Sequence, residues 1–419
     1  MRVLWFTNTF VPGKEQSETD SLRQGGGWML ALCHALLEKH PEITLGVAST
    51  GSVPSIEKYN SRGIDCFVIP MRNKNSRKGK ARALKMCTQI VNEWAPDIIH
   101  IHGTERFFGL MSARSLISIP TVVSIQGLRI PYSEWYHFFG NRSLFDIIKL
   151  HRFIEIPVMR GLLWDYYRYC KTARREQEII CGNRYFMGRT IWDRSHLFSI
   201  NPEAKYYSVG EVLREPFWNA HWDRSQCQRY RILYINPGNP RKGVETLLKA
   251  ADILKRDYSA LEVGLVGTIG HRRGYDRYIR KEIMKRSEYV RELDSLNAEK
   301  ITSELSKSHV FVSASYIDNS PNAVCEAQLV GVPVVSSYRG GVLSLIEDKQ
   351  TGMFFPSGDA PLLASIIKKI FEDDNLAAML SHNARIEASK RHDSKTIVQT
   401  LLSTYDQVIE GFKIEQGDR

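Results

Sequence analysis

The stretch HVFVSASYIDNSPNAVCEAQLVGVPVVSS, residues 309–337, has the pattern of a strand, a loop, a helix and a second strand. Its two ends, HVFVSA and VPVVSS, are short, β-branched and almost continuously apolar, which is typical of buried parallel strands. Between them, residues 321–330 predict a helix. It should begin at about Pro321, because Ser320 is a favoured N-cap and proline is accepted at the first helical position. This strand–helix–strand unit indicates a parallel α/β sheet.

The same alternation occurs in both halves of the chain. Apolar runs predict strands, and amphipathic segments between them predict helices. We therefore expect an α/β fold with two doubly wound, parallel-sheet, Rossmann-like domains that face a cleft and bind ligands at the carboxyl ends of their strands. The predicted strands are residues 2–7, 44–49, 65–69, 97–102, 121–125, 231–236, 261–267, 309–314 and 332–337, and the predicted helices include 28–39, 243–256, 277–287, 297–307 and 321–330.

An irregular segment, residues 216–230, separates the two series and is predicted to be a linker. The expected domains are an N-terminal one, 1–215, and a C-terminal one, 228–396. Residues 132–180 break the pattern, since aromatic and aliphatic residues alternate there with Arg and Lys, and they predict a helical insert in the first domain. Two interpretations of this insert stay open: a helix that lies on an anionic membrane, or an insertion that packs on its own domain.

The composition limits the class of partner. The formal net charge of +11 favours anionic partners such as nucleic acid, acidic lipid or phosphorylated small molecules, although a generally basic surface would explain it equally well. No nucleic-acid-binding motif accompanies the charge, so we expect no nucleic acid partner. The seven cysteines form no CxxC pair and predict reduced core residues in a reducing compartment. Neither a signal-peptide pattern nor a run of about 18 apolar residues is found, so we expect no membrane span.

Two carboxylates lie eight positions apart in the opening stretch. Asp318 is predicted in the loop before the helix and Glu326 in its second turn, so they are not a pair that shares a proton. The N-terminus of this helix favours the binding of an anion or of a cluster of sugar hydroxyls. The two side chains are therefore predicted to hold different parts of one extended ligand. Glu326 has apolar neighbours, and a buried carboxylate needs a partner.

Two further loops have the composition of ligand-binding loops. In YINPGNPRKG a strand ends in a loop with Arg241 and Lys242, where a lysine can reach a phosphate held by backbone N–H groups. A basic residue near a helix start is the plain alternative. In the first domain, GGGW (25–28) allows close approach of the backbone to a ligand, or forms only a tight turn. It does not match the dinucleotide-binding pattern.

The motifs, taken in order, resemble those of a known family. Lys242, the D-x7-E spacing of 318–326, the following GVPVVSS and the later Gly340-Gly341 are similar to the motifs of family 4 retaining glycosyltransferases of the GT-B fold. The order PDIIHIHG, RKG, LVG, SHVFVSAS, EAQLVGVPVV also matches, and the resemblance covers nearly the whole chain.

The resemblance implies a reaction and a set of binding residues. A sugar would pass from a nucleotide diphosphate donor to an acceptor hydroxyl with retained configuration, without a metal or other cofactor. Asp318 would contact the donor sugar, Glu326 the ribose and Lys242 the diphosphate. A terminal helix at about 397–419 would return to the first domain. The other implied donor contacts are Gly26, Gly27, Asn319, Ser320, Pro321, Asn322 and Ala323.

Three positions depart from the family pattern. The first glutamate of the family is Asp318 here, and an arginine six positions before the lysine is Asn236, for which Arg241 is the expected substitute. A histidine that the family places after the strand ending in SIQGL is Gln126, which can donate a hydrogen bond but cannot carry a proton. Retaining transfer in which the leaving phosphate acts as base does not require that proton.

The sequence thus predicts a glycosyltransferase that uses a UDP- or GDP-sugar and a glycan or lipid-linked acceptor in cell-surface polysaccharide synthesis. His102 and Glu105 are predicted on the acceptor side, rather than as metal ligands. The expected location is the cytoplasm, with peripheral contact to the inner face of the membrane through 132–180. The alternatives are a non-catalytic GT-B protein that binds a partner or a glycan, and a nucleotide-sugar epimerase.

Overall fold

The computed structural model describes residues 1–8, 27–71, 77–150, 161–270 and 274–417. The chain divides into two compact units, each built around its own parallel sheet. The first unit contains residues 1–129, 172–212 and 392–419, and the second contains residues 130–171 and 213–391. The two parallel α/β sheets predicted from the sequence are confirmed.

The first unit has an eight-stranded sheet with the order β3-β4-β2-β1-β5-β6-β7-β8. All neighbouring strands are parallel except the β3–β4 pair. The strand order reverses direction between β1 and β5, and ligands of such sheets bind beyond the carboxyl ends of the strands at this switch point. The strands are β1 (Arg2–Phe6), β2 (Thr44–Gly51), β3 (Glu57–Ser61), β4 (Ile64–Pro70), β5 (Ile98–His102), β6 (Thr121–Ser124), β7 (Tyr185–Gly188) and β8 (Lys205–Ser208).

Helices cover this sheet, and the helix Ser394–Gly417 packs against the helix Gly27–Lys39. Its Tyr405 is fully buried, and the hydroxyl accepts a 3.0 Å hydrogen bond from Trp5 Nε1 in β1. The C-terminal helix is thereby joined to the centre of the first sheet. The helices of this unit are α1 (Gly27–Lys39), α2 (Arg77–Trp94), α3 (Leu110–Ala113), α8 (Ile191–Ile200) and α16 (Ser394–Gly417).

The second unit has a six-stranded, fully parallel sheet with the order β11-β10-β9-β12-β13-β14. Its switch point lies between β9 and β12, which are adjacent in space although separated along the chain. The loops that follow these two strands therefore meet at the carboxyl edge. The strands are β9 (Arg231–Ile235), β10 (Glu262–Val266), β11 (Val290–Leu293), β12 (Val310–Ser313), β13 (Val334–Ser337) and β14 (Met353–Phe355).

Helices also surround the second sheet, and two 3₁₀ turns, Pro240–Lys242 and Gly340–Ser344, follow β9 and β13. No helix within the described ranges is both long enough and apolar enough to cross a bilayer. The helices are α9 (Glu215–Asn219), α10 (Val244–Leu254), α11 (Gly274–Met284), α12 (Ala298–Lys307), α13 (Asn322–Val330), α14 (Ala360–Glu372) and α15 (Asp374–Arg391).

The insert lies in a different unit from the one expected. Residues 130–171 belong to the second unit, because their aromatic and aliphatic side chains join its hydrophobic core. Phe139 and Ile147 are fully buried there. Residues 151–160 of the expected insert lie outside the described residues. The helices of the region are α4 (Arg129–Tyr132), α5 (Trp135–Phe139), α6 (Leu144–Leu150) and α7 (Leu162–Gly182), of which α7 continues into the first unit.

The expected linker, 216–230, is also packed structure rather than an extended connection. Phe217 of α9 is fully buried in the second core, and Trp222 Nε1 donates a 2.7 Å hydrogen bond to the carbonyl oxygen of Ser308. The sequence did not reveal these two buried aromatic residues, because single buried aromatic side chains produce no periodic pattern.

Candidate functional site

Lys242 and Asp318 meet at the switch point of the second sheet. Lys242 ends the turn after β9, and Asp318 lies in the loop after β12. Lys242 Nζ and Asp318 Oδ2 form an ion pair. The side chains are 23% and 18% exposed, so the pair is partly shielded but still accessible from solvent. Both residues had been predicted as ligand contacts, and the fold brings them together.

The backbone around Lys242 is held close to the end of β12. Gly243 has φ 69°, in the left-handed region, and a Cβ atom there would collide with the carbonyl oxygen of Ala314. The Tyr316 N–H donates a 2.8 Å hydrogen bond to the carbonyl oxygen of Arg241. Only glycine adopts this conformation at such close range, which places the Lys242 loop directly beside the Asp318 loop.

The Asp318 loop is anchored by the glycine pair noted in the sequence. Gly341 N–H donates a 2.9 Å hydrogen bond to the carbonyl oxygen of Asp318. Gly340 has φ 65°, and a Cβ atom there would overlap that same oxygen. The N–H of the fully buried Asn319 lies 3.2 Å from Asp318 Oδ1. The orientation of the Asp318 carboxylate is thus set by backbone groups on both sides.

Gly340→Ala is expected to displace Asp318. A left-handed alanine costs about 1–2 kcal/mol, and the added methyl group must also push the Asp318 carbonyl aside. We expect at least a tenfold loss of activity together with a lower melting temperature. Gly63→Ala is the matched control, because Gly63 has φ 81° but nothing within 4 Å of its Cβ position. Equal losses in both variants would show that backbone strain, rather than displacement of Asp318, is responsible.

The helix of the opening stretch begins one residue later than predicted. Pro321 is the N-cap, with an extended ψ of 113°, and α13 starts at Asn322. The carbonyl oxygen of Pro321 accepts the Val324 N–H at 2.9 Å, the first hydrogen bond of the helix. Ser320 and Asn322 are half-buried, and Ala323 is half-buried beside the core. The loop from Asp318 and the start of α13 form one continuous surface.

Glu326 is buried on α13 and has the partner that its burial requires. Its exposure is 5%, and Oε1 accepts hydrogen bonds from Arg214 Nη2 at 2.6 Å and Nε at 3.2 Å. The Arg214 guanidinium also lies 4.9 Å from the Phe217 ring centre. The sequence predicted a partner for Glu326 but could not name one, since Arg214 is 112 positions away.

Arg241, predicted as a donor contact, packs against two aromatic rings. Its guanidinium carbon lies 4.9 Å from the centre of the Tyr132 ring and 5.1 Å from the centre of the Tyr169 ring. Both tyrosines belong to the insert, and both contacts have cation–π geometry. Arg241 is therefore occupied in joining the insert to the turn that carries Lys242.

For the other residues predicted at the binding site of the donor sugar, the structure shows only their position and backbone conformation. Asn236, after β9, has φ 70°, a conformation that asparagine tolerates better than most residues. Gly27 is the exposed first residue of α1, and Gly26 lies outside the described residues. Gln126 is half-buried in the loop after β6 of the first unit.

In the first unit, two histidines lie buried at the end of β5. His100 Nδ1 is 2.7 Å from Tyr405 Oη, and Nε2 is 2.6 Å from Ser124 Oγ. The His102 ring centre is 3.7 Å from that of His100. Burial lowers the pKa of both imidazoles, that of His100 to about 3, so both rings are neutral at pH 7.

A pocket that is partly open to solvent lies beside these rings. His102 lines it together with Trp28, Ser124 and Arg189. Glu105 follows β5, and its carboxylate accepts a hydrogen bond from Asn8 Nδ2. Burial raises the pKa of Glu105. Of the two residues predicted on the acceptor side, His102 is thus the last residue of β5 and Glu105 lies in the loop after it, at the carboxyl edge of the first sheet.

The chain is similar to known glycosyltransferases in sequence and in fold. Residues 223–387 match the family model "Glycosyl transferases group 1". The chain is 24% identical over 291 residues to D-inositol 3-phosphate glycosyltransferase of Arthrobacter sp. (strain FB24), a match that covers 65% of this chain and 69% of that protein. It is 28% identical over 102 residues to the capsular polysaccharide biosynthesis glycosyltransferase CapM of Staphylococcus aureus, covering 24% and 27% of the two chains.

A solved structure shares the architecture of the whole chain. Anabaena Alr3699/HepE in complex with UDP and glucose superposes with a TM-score of 0.69 at 15% identity, and the match covers 97% of this chain and 99% of that one. At this identity the likeness concerns the fold, which is the GT-B arrangement of two parallel-sheet domains. The fold class predicted from the sequence is confirmed.

Proposed function

Because this chain belongs to the glycosyl transferases group 1 family, as its motifs predicted, we propose that it transfers a sugar from a nucleotide diphosphate donor to an acceptor hydroxyl with retained configuration. The observation that carries the proposal is the pairing of Lys242 with Asp318 at the switch point of the second sheet. A cation for the diphosphate and a carboxylate for sugar hydroxyls are held there side by side.

The proposed mechanism uses the charges that the site already has. The leaving diphosphate gains negative charge in the transition state. Lys242 and the N-terminus of α13 stabilise this charge. Asp318 exchanges its contact with Lys242 for hydroxyl groups of the donor sugar. Glu326, oriented by Arg214, accepts the ribose hydroxyls. The leaving phosphate accepts the proton of the acceptor hydroxyl, so the reaction needs no proton-carrying side chain at position 126.

The proposed donor is a UDP- or GDP-sugar, and the acceptor is a glycan or a lipid-linked glycan. UDP is supported by the HepE structure, which is a complex with UDP and glucose. Cell-surface polysaccharide synthesis is supported by the name of CapM. The acceptor is assigned to the first unit, where His102 and Glu105 lie near the ends of its central strands.

One experiment tests the activity and separates it from the alternatives. The protein is incubated with a panel of UDP- and GDP-sugars, and slow hydrolysis of the donor is followed. Release of nucleoside diphosphate and sugar from one donor supports a transferase. Nucleotide binding without release of sugar from any donor would support a non-catalytic binding protein. Conversion to an isomeric sugar nucleotide, with the diphosphate intact, would support an epimerase.

We also propose that the insert contacts an anionic membrane surface, at the cytoplasmic face. Three apolar side chains of α6 are unusually exposed: Leu144 at 54%, Phe145 at 64% and Ile148 at 52%. They lie on one face of the helix, and clustered exposure of this kind marks an interaction surface. α6 packs against α11, where Arg277 and Lys281 are exposed one turn apart. Apolar anchors beside basic residues fit a bilayer with anionic headgroups.

Flotation with vesicles tests this membrane contact. The chain is expected to float with vesicles that contain anionic lipid, and less so as salt increases, since salt screens the basic residues. Changing Leu144, Phe145 and Ile148 together to Ser should abolish flotation while donor hydrolysis is retained. Leu116→Ser, at a side chain of the first unit with 48% exposure, is the control. Flotation that is unaffected by the triple change would contradict the assignment to α6.

A further inference from the structure

We infer that Tyr132 of the insert is a positioning residue for the donor sugar: its hydroxyl holds the Asn319 N–H and thereby keeps the Asp318 carboxylate available for sugar hydroxyls. This inference rests on the proposed function. It adds to the donor site a residue that lies outside the donor motifs of the sequence.

The segment 130–142, here called the cover segment, lies along the carboxyl edge of the second sheet. Tyr136 Oη donates a 3.1 Å hydrogen bond to the carbonyl oxygen of Ser357, which follows β14. The Arg339 guanidinium, after β13, lies 5.1 Å from the Tyr136 ring centre. Arg142 forms an ion pair with Glu245 in the first turn of α10. The cover segment therefore contacts several of the loops that surround the proposed donor site.

The cover segment packs tightly against the loop that leads to Asp318. The rings of Tyr136 and Tyr316 meet edge to face, with their centres 5.7 Å apart. Gly140 has φ 67°, and a Cβ atom there would collide with the Tyr316 ring. A glycine is thus required both by the backbone conformation and by the close contact. The cover segment is consequently a fixed part of this unit.

Tyr132 is the member of the cover segment that reaches Asp318. The side chain is buried, and its ring lies against the guanidinium of Arg241, which is itself packed on Tyr169. The Tyr132 hydroxyl accepts a hydrogen bond from the Asn319 N–H and interacts electrostatically with Asp318. Burial, and then the Asp318 charge, raise the pKa of Tyr132, so the hydroxyl stays protonated.

The Asn319 N–H has two acceptors, and this sharing has a consequence for the sugar. Besides the Tyr132 hydroxyl, it lies 3.2 Å from Asp318 Oδ1. Without the hydroxyl, the buried N–H has only the carboxylate as an acceptor, because a buried donor that is left unpaired is unfavourable. Asp318 is then drawn toward its own backbone and away from the donor sugar. The diphosphate contacts of Lys242 are unaffected.

Tyr132→Phe removes the hydroxyl and keeps the ring on Arg241. Tyr169→Phe is the matched control, since it removes the hydroxyl from the other tyrosine of the same stack. Binding of UDP or GDP, and of the sugar nucleotide that the wild type binds best in a panel including UDP-glucose, is measured by calorimetry. Tyr132→Phe is expected to weaken sugar nucleotide binding about 3- to 10-fold, the effect of one hydrogen bond. Binding of the free diphosphate should change less than twofold, and the melting temperature should stay constant.

The outcomes separate the inference from the proposed function. Equal losses for the diphosphate and the sugar nucleotide, or no loss for either, would overturn the role of Tyr132 while leaving the transferase assignment intact. A loss of the same size in Tyr169→Phe would also overturn it. A wild type that binds no nucleoside diphosphate and no sugar nucleotide would overturn the proposed function, and the inference with it. If a donor sugar with fewer hydroxyl groups facing Asp318 bound to Tyr132→Phe as tightly as to the wild type, this would support the inference further.

Discussion

Asp318→Ala is expected to lower sugar transfer by about 10²- to 10³-fold, the size found when a group that acts on the transition state is removed. The carboxylate is held by Gly340 and Gly341 on its backbone side and by Lys242 at its tip. Alanine keeps the loop but loses the contact to the sugar. Because Lys242 is released from its partner, binding of free UDP or GDP should be unchanged or tighter. Steady-state kinetics and calorimetry measure the two effects.

Two variants make this result specific. Asp257 forms an exposed ion pair with Lys368 at 2.6 Å in the same unit, so Asp257→Ala removes an equivalent carboxylate from the surface. It should leave turnover unchanged, since exposed pairs contribute little. Asp318→Asn keeps the shape of the side chain without its charge, and its turnover should lie between those of the wild type and of Asp318→Ala. Full turnover in Asp318→Ala would remove Asp318 from the mechanism.

Lys242→Ala is expected to have the second largest effect, a loss of about 10²-fold or more in kcat/KM, because a charge that stabilises the leaving diphosphate is removed. Unlike Asp318→Ala, it should also weaken binding of the free diphosphate, since the same charge contacts ground state and transition state. Comparing the loss in kcat/KM with the loss in diphosphate affinity separates the two contributions.

The controls for Lys242 lie nearby. Lys249 is exposed on α10, seven residues further along the chain, and Lys249→Ala should behave as wild type. Lys368→Ala removes the lysine of the surface pair and should also leave kcat/KM and diphosphate affinity unchanged. Lys242→Arg keeps the charge on a larger group and should retain part of the activity. If Lys242→Ala bound UDP or GDP with unchanged affinity, the diphosphate role would be wrong.

Much of the fold could be predicted because it depends on local patterns. The strand predicted at 309–314 is Val310–Ser313 in the structure, and the one at 231–236 is Arg231–Ile235. In proteins with parallel α/β sheets, short apolar β-branched runs occur because the strands are buried on both faces of the sheet. The start of α13 was misplaced by one residue, because proline is favoured at the first helical position whereas Pro321 has the extended backbone of the N-cap here.

The donor site was predicted only in part, for a physical reason. Lys242 and Asp318 each lie on a loop after a strand, and the parallel sheet brings the carboxyl ends of adjacent strands together. Arg214 and Tyr132 reach the site from segments without a motif, and their pairing depends on how the segments pack. The same holds for the contacts of Arg241 with two aromatic rings, which no local pattern indicated.

Local patterns were enough to specify the two parallel sheets, the order of their elements and the loops that carry Lys242, Asp318 and Glu326, because periodicity and the positions of proline and glycine act over a few residues. Long-range packing, in contrast, places the insert in the second unit, pairs Arg214 with Glu326 and sets Tyr132 against Arg241 beside Asp318. Those outcomes depend on contacts between residues about 100 positions apart, where burial and charge pairing select one arrangement that no local pattern encodes.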